Sequence, residues 1–271
     1  MLIEKYSPNW PRFFKDIKRE IENALYGIDY NIEHIGSTSV PYLDAKPIID
    51  IDIIYSTQTD FLRIKAGLEK AGYYHNGDQG IKDREVFKRD GQSVNEILDS
   101  VKHHLYVCPV NSQALERHLL SRDYLKKNNW ARLEYQQMKY ELAEKANWGE
   151  KLPAGQGKGI AIFKSFGSIS ACCVTVAKQG NGVKIEKVVS VIDCGHYVNP
   201  DNVKAQTEGN IVMGITAAVK KGIMFTNGQA EQTNFHQYQV MRMNKMPAVE
   251  IHIVQSGAEQ IGRASCRERV S

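Results

Sequence analysis

Apolar and polar positions recur along this chain with two different periods. Phe14, Ile17, Ile21 and Leu25 repeat at three- and four-residue spacing, which predicts a helix from the Pro8-Asn9-Trp10-Pro11 entry to about Gly27. Asn31–Ile35 reads as a strand. In Ile48-Ile49-Asp50-Ile51-Asp52-Ile53-Ile54 the period becomes two. Side chains alternate across a strand, so Ile49, Ile51 and Ile53 share the core face and Asp50 and Asp52 share the other. Beyond it the pattern predicts a helix over 61–71 with Leu62, Ala66 and Leu68 inward. Strands follow at 84–89 and 105–108, then helices at 112–122 and 129–146. The order α-β-β-α-β-β-α-α predicts an α/β sheet with helices packed on it.

The texture changes at 149–159, where Gly149, Gly155, Gly157 and Gly159 surround Pro153. Strand-like runs follow at 159–163, 169–177 and 183–193, the last two joined by a Gly180-Asn181-Gly182 hairpin signal. One helix is predicted over 201–221, capped by Asp201 and stopped by Gly222. Asn227-Gly228 signals another hairpin, and 249–254 a final strand. These readings divide the chain into domains at 1–146 and 147–260, with a tail at 261–271.

With 271 residues, 42% of them hydrophobic and 24% charged, the composition is that of a soluble globular protein with room for two domains. No run of eighteen apolar residues occurs, so no membrane span is expected. The start, Met1-Leu2-Ile3-Glu4-Lys5, does not read as a signal peptide. Five cysteines without metal-type spacing fit a reducing, cytoplasmic setting, and adjacent Cys172 and Cys173 read as core thiols on opposite strand faces. The formal net charge is +4, and Arg263, Arg267 and Arg269 against Glu268 supply half of it. No basic stripe with interleaved aromatics appears, so the signal for a nucleic-acid partner is weak.

The chemistry concentrates at Asp50 and Asp52. Two strand positions apart, their Cα atoms lie roughly 7 Å from each other, which lets both carboxylates hold one hard cation. Two like charges among isoleucines are costly unless a cation neutralises them. Just upstream, Gly36 lets backbone approach a phosphate and Ser37 donates a hydrogen bond. Asp50 and Asp52 are thus the candidate catalytic and Mg²⁺-binding residues, Gly36 and Ser37 the candidate phosphate-binding pair, and a nucleotide or other phosphorylated small molecule the candidate partner. Plainer readings exist for the same letters: a Gly-Ser pair also simply turns the chain, and an Asp-x-Asp also caps loop amides. Arg84 and Lys88 share a strand face that suits either phosphate oxygens or solvent.

The segment from Glu33-His34-Ile35-Gly36-Ser37-Thr38-Ser39-Val40-Pro41 through Lys46-Pro47-Ile48-Ile49-Asp50-Ile51-Asp52 resembles the GrpB family. The likeness continues at Arg84-Glu85, at His103-His104-Leu105-Tyr106-Val107 and at Arg122-Asp123-Tyr124-Leu125. It implies a nucleotidyltransferase-like α/β fold over 1–146, with Mg²⁺-dependent nucleotide binding and nucleotidyl transfer. Such sites usually take a third carboxylate from a neighbouring strand, where this sequence offers His104 and Tyr106; Glu96 and Asp99 are near only in sequence. Tyr42 stands where the family usually has glycine.

A second resemblance rests on Leu152-Pro153-Ala154-Gly155-Gln156-Gly157-Lys158-Gly159, Val191-Ile192-Asp193-Cys194-Gly195, Gln206-Thr207-Glu208-Gly209 and Gln232-Thr233-Asn234-Phe235-His236. These residues resemble the molybdopterin-binding subunit of the isoquinoline 1-oxidoreductase type, in the xanthine dehydrogenase and aldehyde oxidase family. The resemblance implies a truncated α+β oxidoreductase fragment over 147–260. Gln206 and Gly209 are its cofactor-binding candidates, and molybdopterin is expected only if the fragment were complete. The pattern departs at Gln255-Ser256-Gly257, before the family's catalytic glutamate motif, so no molybdenum hydroxylase activity is expected. The alternative for the helix carrying Gln206, Gly209 and Gly214 is that small residues allow close packing. Residues 261–270 resemble a translated sequencing adapter and read as a disordered end of artefactual origin. A chimeric join near Ala143-Glu144-Lys145-Ala146 is the corresponding expectation for the whole chain.

Overall fold

The structure, a computed structural model, describes residues 3–254 except Phe166, Asn181, Lys221 and Phe235. The 261–271 tail and Lys221 lie outside the described residues, and the helix expected over 201–221 already ends at Val219, with Lys220 extended. The chain divides between Gln136 and Gln137 into two units, within a helix.

The first unit is a mixed five-stranded sheet in the order β1-β2-β5-β4-β3. Its strands are β1 (Asn31–Ile35), β2 (Ile49–Tyr55), β3 (Tyr73–His75), β4 (Glu85–Arg89) and β5 (His103–Pro109). β2 runs antiparallel to β1 and parallel to β5. The even spacing of isoleucines decides which face of β2 is core: Ile49, Ile51 and Ile53 are fully buried. They meet α1 (Asn9–Ala24) through Ile17 and Ile21, and α2 (Gln58–Lys70) through Phe61, Ile64 and Leu68. The inward residues expected on α2 need correction. Leu62 and Ala66 are exposed, because the helix turns Phe61, Ile64 and Leu68 to the sheet, a stripe shifted about one residue from the expected one. Leu68 is common to both. β3 and the one-turn helix α3 (Glu96–Ser100) carry too few residues for a period to register.

The opposite face of the sheet is covered by α4 (Gln113–Lys127), whose Leu115 and Leu119 pack on Ile54, Cys108 and Tyr106. Ser112 caps α4 by accepting from the Ala114 and Leu115 amides, and its hydroxyl donates to the Asp83 carbonyl at 2.9 Å. α5 (Asn129–Lys145) follows. Tyr42, where the resemblance leads one to expect glycine, takes a left-handed backbone at φ +62. Its ring packs tilted against Tyr6, with centroids 5.6 Å apart, and lies 5.5 Å from the Arg132 guanidinium, contacts that offset part of the strain.

The second unit contains a four-stranded sheet in the order β11-β8-β7-β6. Its strands are β6 (Gln156–Ser165), β7 (Ser168–Gln179), β8 (Gly182–Asp193) and β11 (Ala248–Ile253). Gln179 pairs with Gly182 where the hairpin was expected; Asn181 at its tip lies outside the described residues. Cys173 is buried, while Cys172 on the other face contacts the Ser190 hydroxyl at 3.4 Å. The Asn227-Gly228 hairpin joins β9 (Phe225–Thr226) to β10 (Gln229–Ala230), both turn residues at positive φ. Helix α6 (Pro200–Val219) differs at its start: Asn199, not Asp201, is the cap, accepting from the Asp201 and Asn202 amides. Pro200 explains the shift, since proline takes the first helical position readily and leaves the preceding residue to cap. Phe163, Val183, Met213 and Phe225 of this unit are exposed.

Candidate functional site

The site is built on the face of β2 turned away from the isoleucine core. Asp50 and Asp52 stand there beside Glu33 and Ile35 of β1, and beside His104 and Tyr106 of β5, by strand register. Asp52 is fully buried. One of its oxygens, Oδ2, accepts from His118 Nδ1 of α4 at 2.8 Å; the other, Oδ1, is buried without a partner among the described residues. Burial pushes the Asp52 carboxyl up from its usual range, although the His118 hydrogen bond opposes the rise. Asp50 is more open, and its Oδ1 accepts from His104 Nδ1 at 2.9 Å. Both acids therefore carry a histidine, and each histidine comes from a different element.

The glycine-serine bend lies directly against this pair. A Cβ placed on Gly36 would sit 2.3 Å from Asp50 Oδ2. Gly36 leads into a single 3-10 turn, Ser37–Ser39, where the Ser39 hydroxyl donates to the Gly36 carbonyl at 2.6 Å. Tyr135 of α5 hydrogen-bonds the Ser37 side chain, and burial raises the Tyr135 phenol. Thus Gly36, Ser37, Asp50 and Asp52 fall together.

The expected third carboxylate is absent from β5, as the sequence indicates. The acid facing Asp52 across the β1–β2 pair is Glu33, and it is engaged with Arg122 at 2.6 Å. Asp99 pairs instead with Arg89 at 2.8 Å, at the end of β4, two strands away from the acids. Among the described residues no three His, Cys, Asp or Glu side chains converge to hold a metal. The two-carboxylate set with a buried, unpartnered oxygen nevertheless fits Mg²⁺, which commonly takes one or two protein carboxylates and completes its octahedron with phosphate oxygens and water. Asp50 and Asp52 would hold it, and the ion would neutralise charge on a bound phosphate.

His118, Arg122 and Arg84 are the site residues that the sequence reading passed over or left open. Leu115, His118, Leu119 and Arg122 form an i, i+3, i+4, i+7 stripe, so the helical period did signal that His118 and Arg122 face the sheet. Arg84 lies over the Tyr106 ring at 5.0 Å, while Lys88 is exposed on β4 opposite Tyr74. His103, one residue from His104, points into structure: it bonds the Tyr73 hydroxyl and the Val101 carbonyl.

His34 sits on the core face of β1, stacked on Phe14 at 4.7 Å and bonded to Thr38. Burial, with Lys126 and Arg122 nearby, lowers it to about 4. A histidine lowered on folding binds fewer protons folded than unfolded between its two pKa values. Its stabilising share is complete above the unfolded value and is lost as pH falls from 6.5 toward 4. We expect about 3 kcal/mol of stability to disappear over that window. Urea unfolding of the wild type and of His34→Gln should show a steep acid limb only in the former; parallel limbs refute the assignment.

In the second unit, Gln206 and Gly209 lie on an exposed part of α6. A Cβ on Gly209 or Gly214 would meet nothing within 4 Å, so close packing does not explain these glycines here. Among the described residues both positions are exposed, and they do not by themselves fit a molybdopterin. No helix of the described residues is long and apolar enough to cross a membrane.

Comparison with known proteins agrees with both resemblances. The family described as GrpB protein matches residues 1–152, and the molybdopterin cofactor-binding domain matches residues 88–247. The glutamate-rich protein GrpB of Alkalihalophilus pseudofirmus is 31% identical over 147 residues, covering 54% of this chain and 82% of that protein. Isoquinoline 1-oxidoreductase subunit beta of Brevundimonas diminuta is 27% identical over 129 residues, or 45% of this chain; the chain spans only 16% of that subunit. The crystal structure of the conserved protein GrpB from Enterococcus faecalis superposes with a TM-score of 0.46 at 29% identity, covering 54% of this chain and 86% of that one. Through residues 1–152 the chain belongs to the GrpB family, and through residues 88–247 to the molybdopterin cofactor-binding domain family.

Proposed function

We propose that the first unit, as a nucleotidyltransferase-like domain, binds a nucleotide through Mg²⁺ held by Asp50 and Asp52, with the phosphate resting on Gly36 and Ser37. The observation that carries this reading is the Asp52 Oδ1 oxygen, buried without a protein partner beside an Asp50 carboxylate that packs on the Gly36 backbone. A buried, half-satisfied carboxylate costs stability in the free protein, and a cation repays it on binding. His118 and His104 hold the two carboxylates in place, so their orientation is set before any ligand arrives. The chemistry suited to this arrangement is nucleotidyl transfer: an acceptor hydroxyl attacks the α-phosphorus and pyrophosphate leaves.

Calorimetry with each of the four ribonucleoside triphosphates, in Mg²⁺ and in chelator, tests the reading. Binding should require Mg²⁺. Asp50→Asn combined with Asp52→Asn should weaken it by about 100-fold or more, since two charge-assisted contacts are lost. Equal binding by the double variant refutes the assignment. Release of pyrophosphate in the presence of hydroxyl acceptors separates transfer from binding alone.

A further inference from the structure

Arg84 has no ion-pair partner among the described residues. Arg89 is paired with Asp99, and Arg122 with Glu33 and Asp123. Arg84 is half-buried and makes no hydrogen bond or ion pair among the described residues, and its Nε is buried without a partner. A guanidinium left in that state is costly unless an anion completes it. Its position is nevertheless well defined. The residue before it, Asp83, is anchored through its carbonyl to the Ser112 hydroxyl, and the guanidinium lies over the Tyr106 ring at 5.0 Å. Tyr106 is in register with Asp52, and the Arg84 charge acts on the Asp52 carboxyl.

We propose that Arg84, seated on the face of Tyr106, forms an anion subsite that takes the distal phosphates of a polyphosphate ligand. The inference rests on the proposed nucleotide site and narrows its substrate class to di- and triphosphates. The layout of the sheet carries the argument. The Gly36-Ser37 bend follows β1, the acids are on β2, Tyr106 is on β5, and Arg84 precedes β4. Strands are spaced by about 4.8 Å and residues along a strand by about 3.3 Å, so the bend, level with Ile49, and the Arg84 backbone, level with Ile54, stand about 22 Å apart on the diagonal of the sheet, with the acids between them. An arginine side chain crosses part of that interval, but one phosphate group does not span the remainder. A phosphate chain does, with one end on the bend and the other on Arg84. The planar guanidinium fork, already held by an aromatic face, suits terminal phosphate oxygens.

The test uses base-free probes on the full chain, magnesium orthophosphate and magnesium tripolyphosphate, titrated by calorimetry. The wild type should bind tripolyphosphate at least about ten times more tightly, the scale of one charge-assisted contact. Arg84→Gln should bring the two within about threefold while leaving orthophosphate unchanged. Arg84→Lys, which keeps the charge but loses the fork, should fall between. Should Arg84→Gln fail to fold, Arg84→Lys and Tyr106→Leu carry the comparison. Full discrimination in the variants, or none in the wild type, overturns the subsite. If the Asp50→Asn and Asp52→Asn pair loses both probes while Arg84→Gln keeps its preference, the metal site stands and the Arg84 assignment alone fails. Absence of Mg²⁺-dependent binding of either probe to the wild type overturns both.

Discussion

Replacing Gly36 by alanine should destabilise the first unit by about 3 kcal/mol and abolish ligand binding there. Two separate effects combine at this position. Its backbone sits at φ +68 and ψ −174, a region essentially restricted to glycine, so any side chain adds strain. The added methyl also has nowhere to go: it would lie 2.3 Å from Asp50 Oδ2, 2.9 Å from Cγ and 3.0 Å from Cβ. Turning the carboxylate relieves the first two contacts but not the third, and it breaks the hydrogen bond from His104. Gly77 provides the control. It is also left-handed, at φ +67, but a Cβ there meets nothing within 4 Å. Gly77→Ala therefore reports the cost of a positive φ without a contact, and the excess cost of Gly36→Ala reports the contact with Asp50 together with the strain of its extended ψ. Equal urea midpoints for the two variants, with ligand binding intact in Gly36→Ala, would remove the bend from the site.

A comparable loss, again about 3 kcal/mol, is expected for His118→Ala. Asp52 is fully buried and has one oxygen already without a partner. Removing His118 takes away the hydrogen bond on the other, and breaking a buried pair from one side leaves an uncompensated group. The remedy identifies the cause. Asp52→Asn in the same background should restore most of the lost stability, because the uncharged amide does not demand a counter-charge. Asp52→Asn alone has a sign of its own. Burial raises the Asp52 pKa, so the carboxyl favours the folded state fully below its unfolded value, and that contribution is lost as pH rises through the folded value. The single variant should then be more stable than the wild type at neutral pH and no more stable near pH 3. A double-mutant cycle by chemical denaturation reads all three; additivity of the two substitutions refutes the coupling.

That a binding substitution should raise stability is what a site designed around a cation predicts. On the proposed reading, the unpaired Asp52 oxygen weakens the free protein and a bound cation would satisfy it. Arg84 is the same device with the opposite sign.

The sequence by itself determined the face of β2. Period-two isoleucines admit one register against the core, and that register sends Asp50 and Asp52 together to the other side. It also determined the first unit's main strands and helices, and the Asn227-Gly228 turn, because each of these is a local pattern long or chemically specific enough to register. It misplaced the inward stripe of α2 and the cap of α6, where a shift of one or two residues decides the outcome. Tertiary structure alone decided what surrounds the acids. Asp52 and His118 are 66 residues apart, and Asp50 and His104 are 54 apart. Glu33 is withdrawn from the site by Arg122, 89 residues away. No period along the chain encodes such pairings. They arise because parallel pairing of β2 with β5 and the packing of α4 over that face bring distant polar groups into a common dry layer, where each must find a partner or wait for one.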